Sequence, residues 1–338
     1  MHRLAIVGCG ITGAVTALLL KQKMPELSVI IIEKSKGTGG RMCTSRSSFG
    51  NSVDLGAQFI TKSSKLTNIQ NRLYNSLLDE GIFQPMPNNI EGIKSASSAV
   101  SNFICPQGSG SLVKYFLEKA GCDVLYEHRV IKINAIKEKW ETLCENGTSH
   151  EFDAVVLTIP VPQVLQLDGL HSYLESDQLE KLKAVEYCSR YAVGFFYDTE
   201  LSFFKDIPWS AKFLSDDIIR FCAFDVHKRR ASGLPSIVFH TSKEFGKKYI
   251  DENAETVRDI ITQRIKTLFP DIPIPAETKF HKWRYSQVEK SYSGEPGCLV
   301  LSKRPVLICG GDGFTHSNFE GCVLSAENIV QKLLDVSN

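Results

Sequence analysis

The chain has no run of apolar residues long enough to cross a bilayer, which excludes a helical membrane span. It has no excess of charge of one sign either. Its 39 Lys and Arg stand against 38 Asp and Glu, for a formal net charge of +1 and a pI near 7.5. Nucleic acid and anionic membrane are therefore not expected as main partners. No His-Glu-x-x-His, no Gly-x-Ser-x-Gly and no Cys-x-x-Cys occurs, so the common zinc sites and the serine-hydrolase elbow are absent and no metal is expected. The ten cysteines are scattered, and Cys9 falls inside a glycine turn where a disulfide would interfere. They read as free thiols in a reducing compartment, so a cytoplasmic location is expected. No cleavable leader is expected, because the apolar stretch starting at Leu4 belongs to the fold; export would need an unconventional route. The one compact basic run, Lys228-Arg229-Arg230, reads as a solvated loop.

What the chain does have begins at its N-terminus. Leu4-Ala5-Ile6-Val7 reads as a short buried strand, Gly8-Cys9-Gly10-Ile11-Thr12-Gly13 as a turn, and Ala14 to Lys23 as a helix. A second apolar run, Val29 to Ile32, ends in Glu33, twenty residues past Gly13. Strand, glycine turn, helix, strand and acid together form the dinucleotide-binding fingerprint. Gly8 permits the tight turn, Gly10 lets backbone approach a pyrophosphate, and Gly13 lets the helix lie close to the strand. The helix N-terminus offers N–H groups and a positive dipole end to phosphate. Glu33 is placed to accept hydrogen bonds from a ribose and would repel a 2′-phosphate.

Two more glycine-rich turns follow. Gly37-Thr38-Gly39-Gly40-Arg41-Met42 puts a permanent cation beside a second close backbone approach. Near the C-terminus, Val306 to Cys309 reads as a buried strand, Gly310-Gly311-Asp312-Gly313-Phe314 as a turn, and a helix opens near Gly321. Asp312 is suited to accept hydrogen bonds from a polyol chain. Three such turns spread along the chain favour one large cofactor, FAD.

A length of 338 residues suggests about two domains, and 43% apolar with 23% charged residues is ordinary for a globular enzyme. Strand and helix signals recur at Val53–Ile60, Leu66–Leu78, Leu112–Lys119, Asp123–Tyr126, Arg129–Ile133 and Phe152–Ile159. From Val161 to His281 the pattern changes to aromatic strands at 191–197, 218–224 and 237–241, with one amphipathic helix at 256–269. The expected fold is α/β: a discontinuous Rossmann-like FAD-binding domain (1–81, 106–160 and 282–338) and a second α+β substrate domain with an antiparallel sheet (82–105 and 161–281). Arg220, in Ile-Arg-Phe, and His240, in Val-Phe-His-Thr, are polar residues on apolar strands, and Gln287 follows Trp283. These three are candidates for the substrate shell. The same residues fit exposed or structural positions, and no essential base is assigned.

The assembled motifs resemble the renalases, within the wider flavin amine oxidase-like superfamily. The resemblance runs over nearly the full length. It is carried by IVGCGITG (6–13), GGRM (39–42), DLGAQFIT (54–61), VLTIPVPQVLQL (156–167), SRYAVGFFY (189–197), KWRYSQV (282–288) and CGGDGFTHSNFEGC (309–322). Cys9 departs from the small residue common in the first turn. The resemblance implies a fold of the p-hydroxybenzoate hydroxylase type and non-covalent FAD. Thr12, Arg41, Gln58 and Phe59 match the family's FAD contacts. Glu33, Val130 and Asp312 match adenosine-ribose, adenine and ribityl positions. The implied activity is oxidation of 2- and 6-dihydro isomers of NAD(P)H to β-NAD(P)⁺, with dioxygen reduced to hydrogen peroxide. A helix dipole near Gly321 would then stabilise the reduced flavin. Two alternatives stand beside it: a flavin-dependent amine oxidase, and a protein that holds FAD without catalysis. The oligomeric state is left open.

Overall fold

Leu4 to Val7 are apolar on both sides of the pleat, and such a strand is stable only between two covered faces. In the computed structural model, which describes residues 1–87, 90–92, 101–229 and 232–337, Arg3–Val7 lies inside a six-stranded sheet. The order is Cys298–Lys303, Val306–Gly310, Ala154–Leu157, Arg3–Val7, Ser28–Ile32 and Asp123–Leu125. All neighbours are parallel except the edge pair 298–303 and 306–310. Leu4 pairs with Val29 on one side and Ala154 on the other, and the register continues to Val7 opposite Ile32 and Leu157.

The first helix, Ile11–Lys23, is buried on every side from Ile11 to Leu20. It has no polar stripe because the sheet lies beneath it and helices Gly110–Ala120 and Phe319–Ser337 lie along it. Beside it Tyr74, Phe83, Phe103, Phe116 and Phe319 form an aromatic knot with centroid separations of 5.4 to 6.3 Å. On the other face of the sheet, Ala5, Val7 and Leu157 pack against Trp140 and Phe152 of a three-stranded antiparallel sheet. Val161, Val164, Leu167, Leu170 and Val185 join that same core. Packing thus draws residues 161–185 onto the parallel sheet, so the change of sheet comes later in the chain than the expected division at Val161. Apolar spacing alone does not say which sheet a helix covers.

A second sheet holds Glu277–Trp283, Arg190–Phe196, Ser236–Thr241, Ile219–Phe224, Ala211–Phe213 and Ile90–Glu91, in that order. Its pairs are antiparallel except the last, which is parallel. Alternation divides its side chains. Tyr191, Val193 and Phe195 face helix Ala254–Leu268 through Val257, Ile261 and Ile265, while Ala192 and Phe196 face Val53, Leu55 and Met86. Glu277–Trp283 puts the start of the expected 282–338 segment into this sheet. The 82–105 excursion is divided: Ile90–Glu91 joins the second sheet, whereas Gln84–Pro85 and Ser101–Ile104 pair near Ile60–Lys62. Residues 88, 89 and 93–100 of that expectation lie outside the described residues.

Val53–Ile60, expected as one stretch, breaks into strands Ser52–Asp54 and Ile60–Lys62. The cause is Gly56. A Cβ there would lie 1.9 Å from the Arg41 carbonyl oxygen, so the chain turns where the backbone of the second glycine turn presses on it. Among the described residues no helix is long and apolar enough to cross a membrane, and no cluster able to hold a metal ion occurs. All ten cysteines are unpaired.

Candidate functional site

Both sheets open onto one cleft of about 1270 Å³. The C-terminal ends of strands 3–7 and 28–32 reach it through Gly8, Gly10 and Glu33, in the place where open parallel sheets bind ligands. Thr12, Gly40, Arg41, Gln58, Phe59, Val130 and Asp312 also line it, and so do Arg220, His240 and Gln287 from the other side. Gly13 and Gly311 do not. A Cβ on Gly13 would stand 2.2 Å from the Gly8 carbonyl oxygen, so Gly13 serves helix–strand packing. Gly311 has φ 122° and its N–H donates to Ser325 Oγ at 2.7 Å, which makes it a turn residue.

Gly10 is different. Its φ of −95° suits any residue, and a Cβ there would meet nothing within 4 Å. Nothing in the protein itself calls for glycine at this position; the space it leaves is at the mouth of the first helix. That helix has no side-chain cap and no acidic residue in its first turn, so its positive end is presented to the cleft. This is a cradle that fits a pyrophosphate.

Glu33 sits at the far end of this cradle, buried. Its two oxygens accept from Cys9 N–H at 2.9 Å and Ser35 N–H at 2.8 Å, which fixes the carboxylate and still leaves lone pairs for a ribose. Arg41 and Asp312, far apart in sequence, form a bidentate pair at 2.5 and 2.8 Å. Burial opposes ionisation of Asp312, yet Arg41, with help from Ser317 Oγ, holds its carboxyl below the usual range. Arg41 also reaches the Ser286 carbonyl at 3.3 Å and lies over the Tyr187 ring.

The C-terminal helix starts at Phe319, two residues before Gly321, as the sequence leads one to expect. Its first turn contains Glu320, buried and bonded to Ser63 N–H at 2.8 Å, and Asn318 Oδ1 caps the Gly321 N–H at 2.7 Å. A carboxylate in the first turn offsets the helix dipole, so the expected electrostatic role for this helix is weakened.

The second sheet contributes a row of side chains. Phe221 pairs with His240, His240 with Ala192, and Ala192 with His281, so the four stand side by side across four strands. Trp283, two residues past His281, lies 4.0 Å from its ring and donates to the Leu55 carbonyl at 2.8 Å. Arg220 sits at a bulge in its strand; it is exposed and its guanidinium donates to Leu214 O at 2.5 Å. Gln287 is exposed at the rim, and its carbonyl accepts from Cys188 N–H at 2.8 Å. His240 is half-buried where it touches the cleft. Burial, with Arg190 and Lys228 nearby, pushes its imidazole down to about 3, against a smaller opposing pull from Asp54.

The basic run overturns its sequence reading. Lys228 and Arg229 are buried, not solvated, and Arg230 lies outside the described residues. Lys228 Nζ stands 2.7 Å from Asp225 Oδ1, 3.1 Å from Asp54 Oδ2 and 3.0 Å from Gln58 Oε1. Arg229 Nη2 stands 2.9 Å from Asp54 and 2.7 Å from Asp225, both oblique to the hydrogen-bond directions, and its Nη1 donates to Ser52 Oγ. Burial opposes ionisation of Asp54, but Lys228, Arg229 and Thr44 bring its carboxyl down to about 2. Local sequence cannot show the pairing with Asp54, which lies 174 positions from Lys228. The one available signal was Asp225 three and four residues before the two cations. Arg190, His281 and Lys282 also line the cleft and were not singled out; only the period-2 alternation from Trp283 points to His281.

The chain matches the family described as flavin containing amine oxidoreductase over residues 94–334, and an NAD(P)-binding Rossmann-like domain over residues 6–77. It is 39% identical to renalase of Mus musculus over 341 residues, covering 98% of this chain and 99% of that protein. Its fold is similar to that of a putrescine oxidase solved with putrescine bound, at TM-score 0.70 and 13% identity over 99% of each chain. It is similar also to a Pyrococcus furiosus protein, at TM-score 0.63 and 14% identity over 98% of this chain and 97% of that one.

Proposed function

From the premise that this chain belongs to the renalases, within the flavin containing amine oxidoreductases, and is a flavin-dependent oxidoreductase, we propose that it oxidises misreduced nicotinamide nucleotides, the 2- and 6-dihydro isomers of NAD(P)H, to β-NAD(P)⁺. The cofactor in this reading is FAD, with Gly10 and the first helix at its pyrophosphate, Glu33 and Val130 at its adenosine, Asp312 at its ribityl chain, and Thr12, Arg41, Gln58 and Phe59 as further contacts. Bound there, the flavin would take a hydride from the substrate and pass the electrons to dioxygen, giving hydrogen peroxide. Non-covalent binding is supported by the thiols that line the cleft. Burial pushes Cys9, Cys43 and Cys322 all up to about 12, and a protonated thiol is a poor nucleophile. The unpaired cysteines support a reducing, cytoplasmic setting.

One observation carries the choice of substrate. Among the described residues, every charged residue that segment 161–287 contributes to the cleft lining is cationic: Arg190, Arg220, Lys282 and Arg284, of which Lys282 turns its ammonium to the Ile250 carbonyl and Arg284 pairs with Asp251, so Arg190 and Arg220 carry the charge of the wall. The carboxylates in the lining, Glu33, Asp312 and Glu320, come from the cofactor side and are already engaged. Such a wall suits a phosphate-bearing substrate and repels a protonated amine. Hydride loss from a dihydronicotinamide needs no base at carbon, so the residues' task is to position the ring and exclude water. Anaerobic mixing of the flavin-loaded protein with 6-dihydro-NAD, with ordinary 4-dihydro-NADH and with a catecholamine tests this. Rapid flavin bleaching by the 6-isomer, reversed by air with peroxide release, is expected. Bleaching by the amine alone would replace this reading with amine oxidation.

A further inference from the structure

The buried charges reach the cleft through one side chain. Lys228 is an ammonium and can only donate, so the Gln58 atom 3.0 Å from it must be the carbonyl oxygen. The other end of Gln58 is then an amide nitrogen, whose two hydrogens serve the carbonyls of Asp54 at 2.5 Å and Gly56 at 2.9 Å, one of them shared with the histidine ring. The same nitrogen faces His240 Nε2 at 3.3 Å. An amide nitrogen cannot accept a hydrogen bond, so only a lone pair on Nε2 is compatible with it. An Nε2–H, whether in the other tautomer or in the imidazolium, would point one donor at another.

We propose that the Asp54–Lys228–Asp225–Arg229 cluster, together with the backbone carbonyls of Asp54 and Gly56, sets the tautomer and the charge of the cleft histidine: Lys228 and the two carbonyls fix which end of Gln58 faces the ring, and His240 is held neutral, with its proton on Nδ1. Of the three charged groups that act on His240, two oppose a positive ring and the weakest favours it. Arg190, from strand Arg190–Phe196, and Lys228, from helix Asp225–Arg229, oppose a positive ring, and Asp54, from strand Ser52–Asp54, favours one more weakly. Asp54 is itself held by Lys228, Arg229, Thr44 Oγ1 at 2.7 Å and Ser109 N–H at 2.8 Å. Among the described residues Nδ1 has no protein partner, so the ring keeps one neutral donor for a ligand.

The use of that donor rests on the dihydronicotinamide reading. Hydride loss turns the substrate ring into a pyridinium cation. A histidine that stayed protonated beside it would oppose the reaction electrostatically, whereas a neutral N–H can hydrogen-bond a substrate carbonyl without that repulsion. Lys228 and Gln58 are positioning residues here, acting through His240.

The tautomer is testable without substrate, so failure of this inference and failure of the substrate reading are separable. Long-range ¹H–¹⁵N spectra of flavin-loaded protein labelled at histidine, with His240 assigned through His240→Gln, report both ring nitrogens. A protonated Nδ1 and a bare Nε2, unchanged from pH 5 to 8, are expected. An Nε2–H tautomer, or titration within that range, would overturn the proposal. Lys228→Met leaves the Asp54 and Gly56 carbonyls holding the amide nitrogen toward the ring but removes a buried cation that opposes a positive ring; His240 then keeps its proton on Nδ1 at pH 8 but titrates between pH 5 and 8, and flavin bleaching by the 6-dihydro isomer gains an acid-side fall. If Lys228→Met does not fold, Gln58→Glu places a carboxylate between Lys228 and His240, and a protonated ring at pH 6 is expected. An unchanged ring in the folded variant would overturn the proposal.

Discussion

The two walls of the cleft recognise in different ways. The cofactor wall works with backbone and with what is absent: a glycine with empty space before it, helix N–H groups, a turn pressed against Gly56. The substrate wall works with side chains whose state is set by other side chains, several of them buried below the surface. The first wall is assembled largely from residues close in sequence. The second is assembled from strands and a short helix that meet only after folding. A wall made of backbone fails by losing its ligand, and a wall resting on buried charge fails by losing its fold.

The sharpest break of that contrast is Gly10→Val. Its Cβ has room and its φ is ordinary, so the urea midpoint of flavin-free protein should stay where it is. The larger side chain occupies the pyrophosphate position, and purified protein should lose essentially all bound flavin absorbance. A yellow Gly10→Val protein would remove the cradle reading. Asp54→Ala tests the other wall. It leaves Lys228 and Arg229 buried against one carboxylate, and removing one partner of a buried pair costs about 3–5 kcal/mol. Urea unfolding of the flavin-free protein should show that loss; a change within about 0.5 kcal/mol, the range of ordinary surface substitutions, would mean the cluster is not load on the fold. The smallest effect is expected at Trp283→Phe, which keeps an aromatic ring beside His281 and removes the hydrogen bond to Leu55 O. About 1 kcal/mol of stability should go, read from the same urea midpoint, with flavin still bound.

The contrast also explains what could be read from the residues beforehand. The first strand–turn–helix, Glu33, Arg41 and Asp312 were legible because glycine spacing encodes backbone geometry directly. That Arg41 and Asp312 pair with each other was not, since 271 positions separate them. Strands 191–197, 218–224 and 237–241 were visible from aromatic and β-branched runs, within a residue or so of the observed ends. Their mutual register was not, and register is what brings His240 beside Phe221. Lys228-Arg229 looked solvated because a charged pair is almost always exposed unless paired. The pairing depends on Asp54, which sits in a stretch read for its strand signal and for Gln58 and Phe59, with nothing local to tie it to Lys228.

The row from Phe221 through His240 and Ala192 to His281 has one further consequence. Each member stands on a different strand, so the step between neighbours is the hydrogen-bonding distance of a sheet, about 4.8 Å. Side chains along it can be exchanged, but the interval cannot. The floor of the cleft is in that sense a ruler with fixed graduations, with its one low mark at Ala192. Changes in what this protein accepts would come as whole notes on that scale, a ring gained or lost at one mark, rather than as a gradual widening.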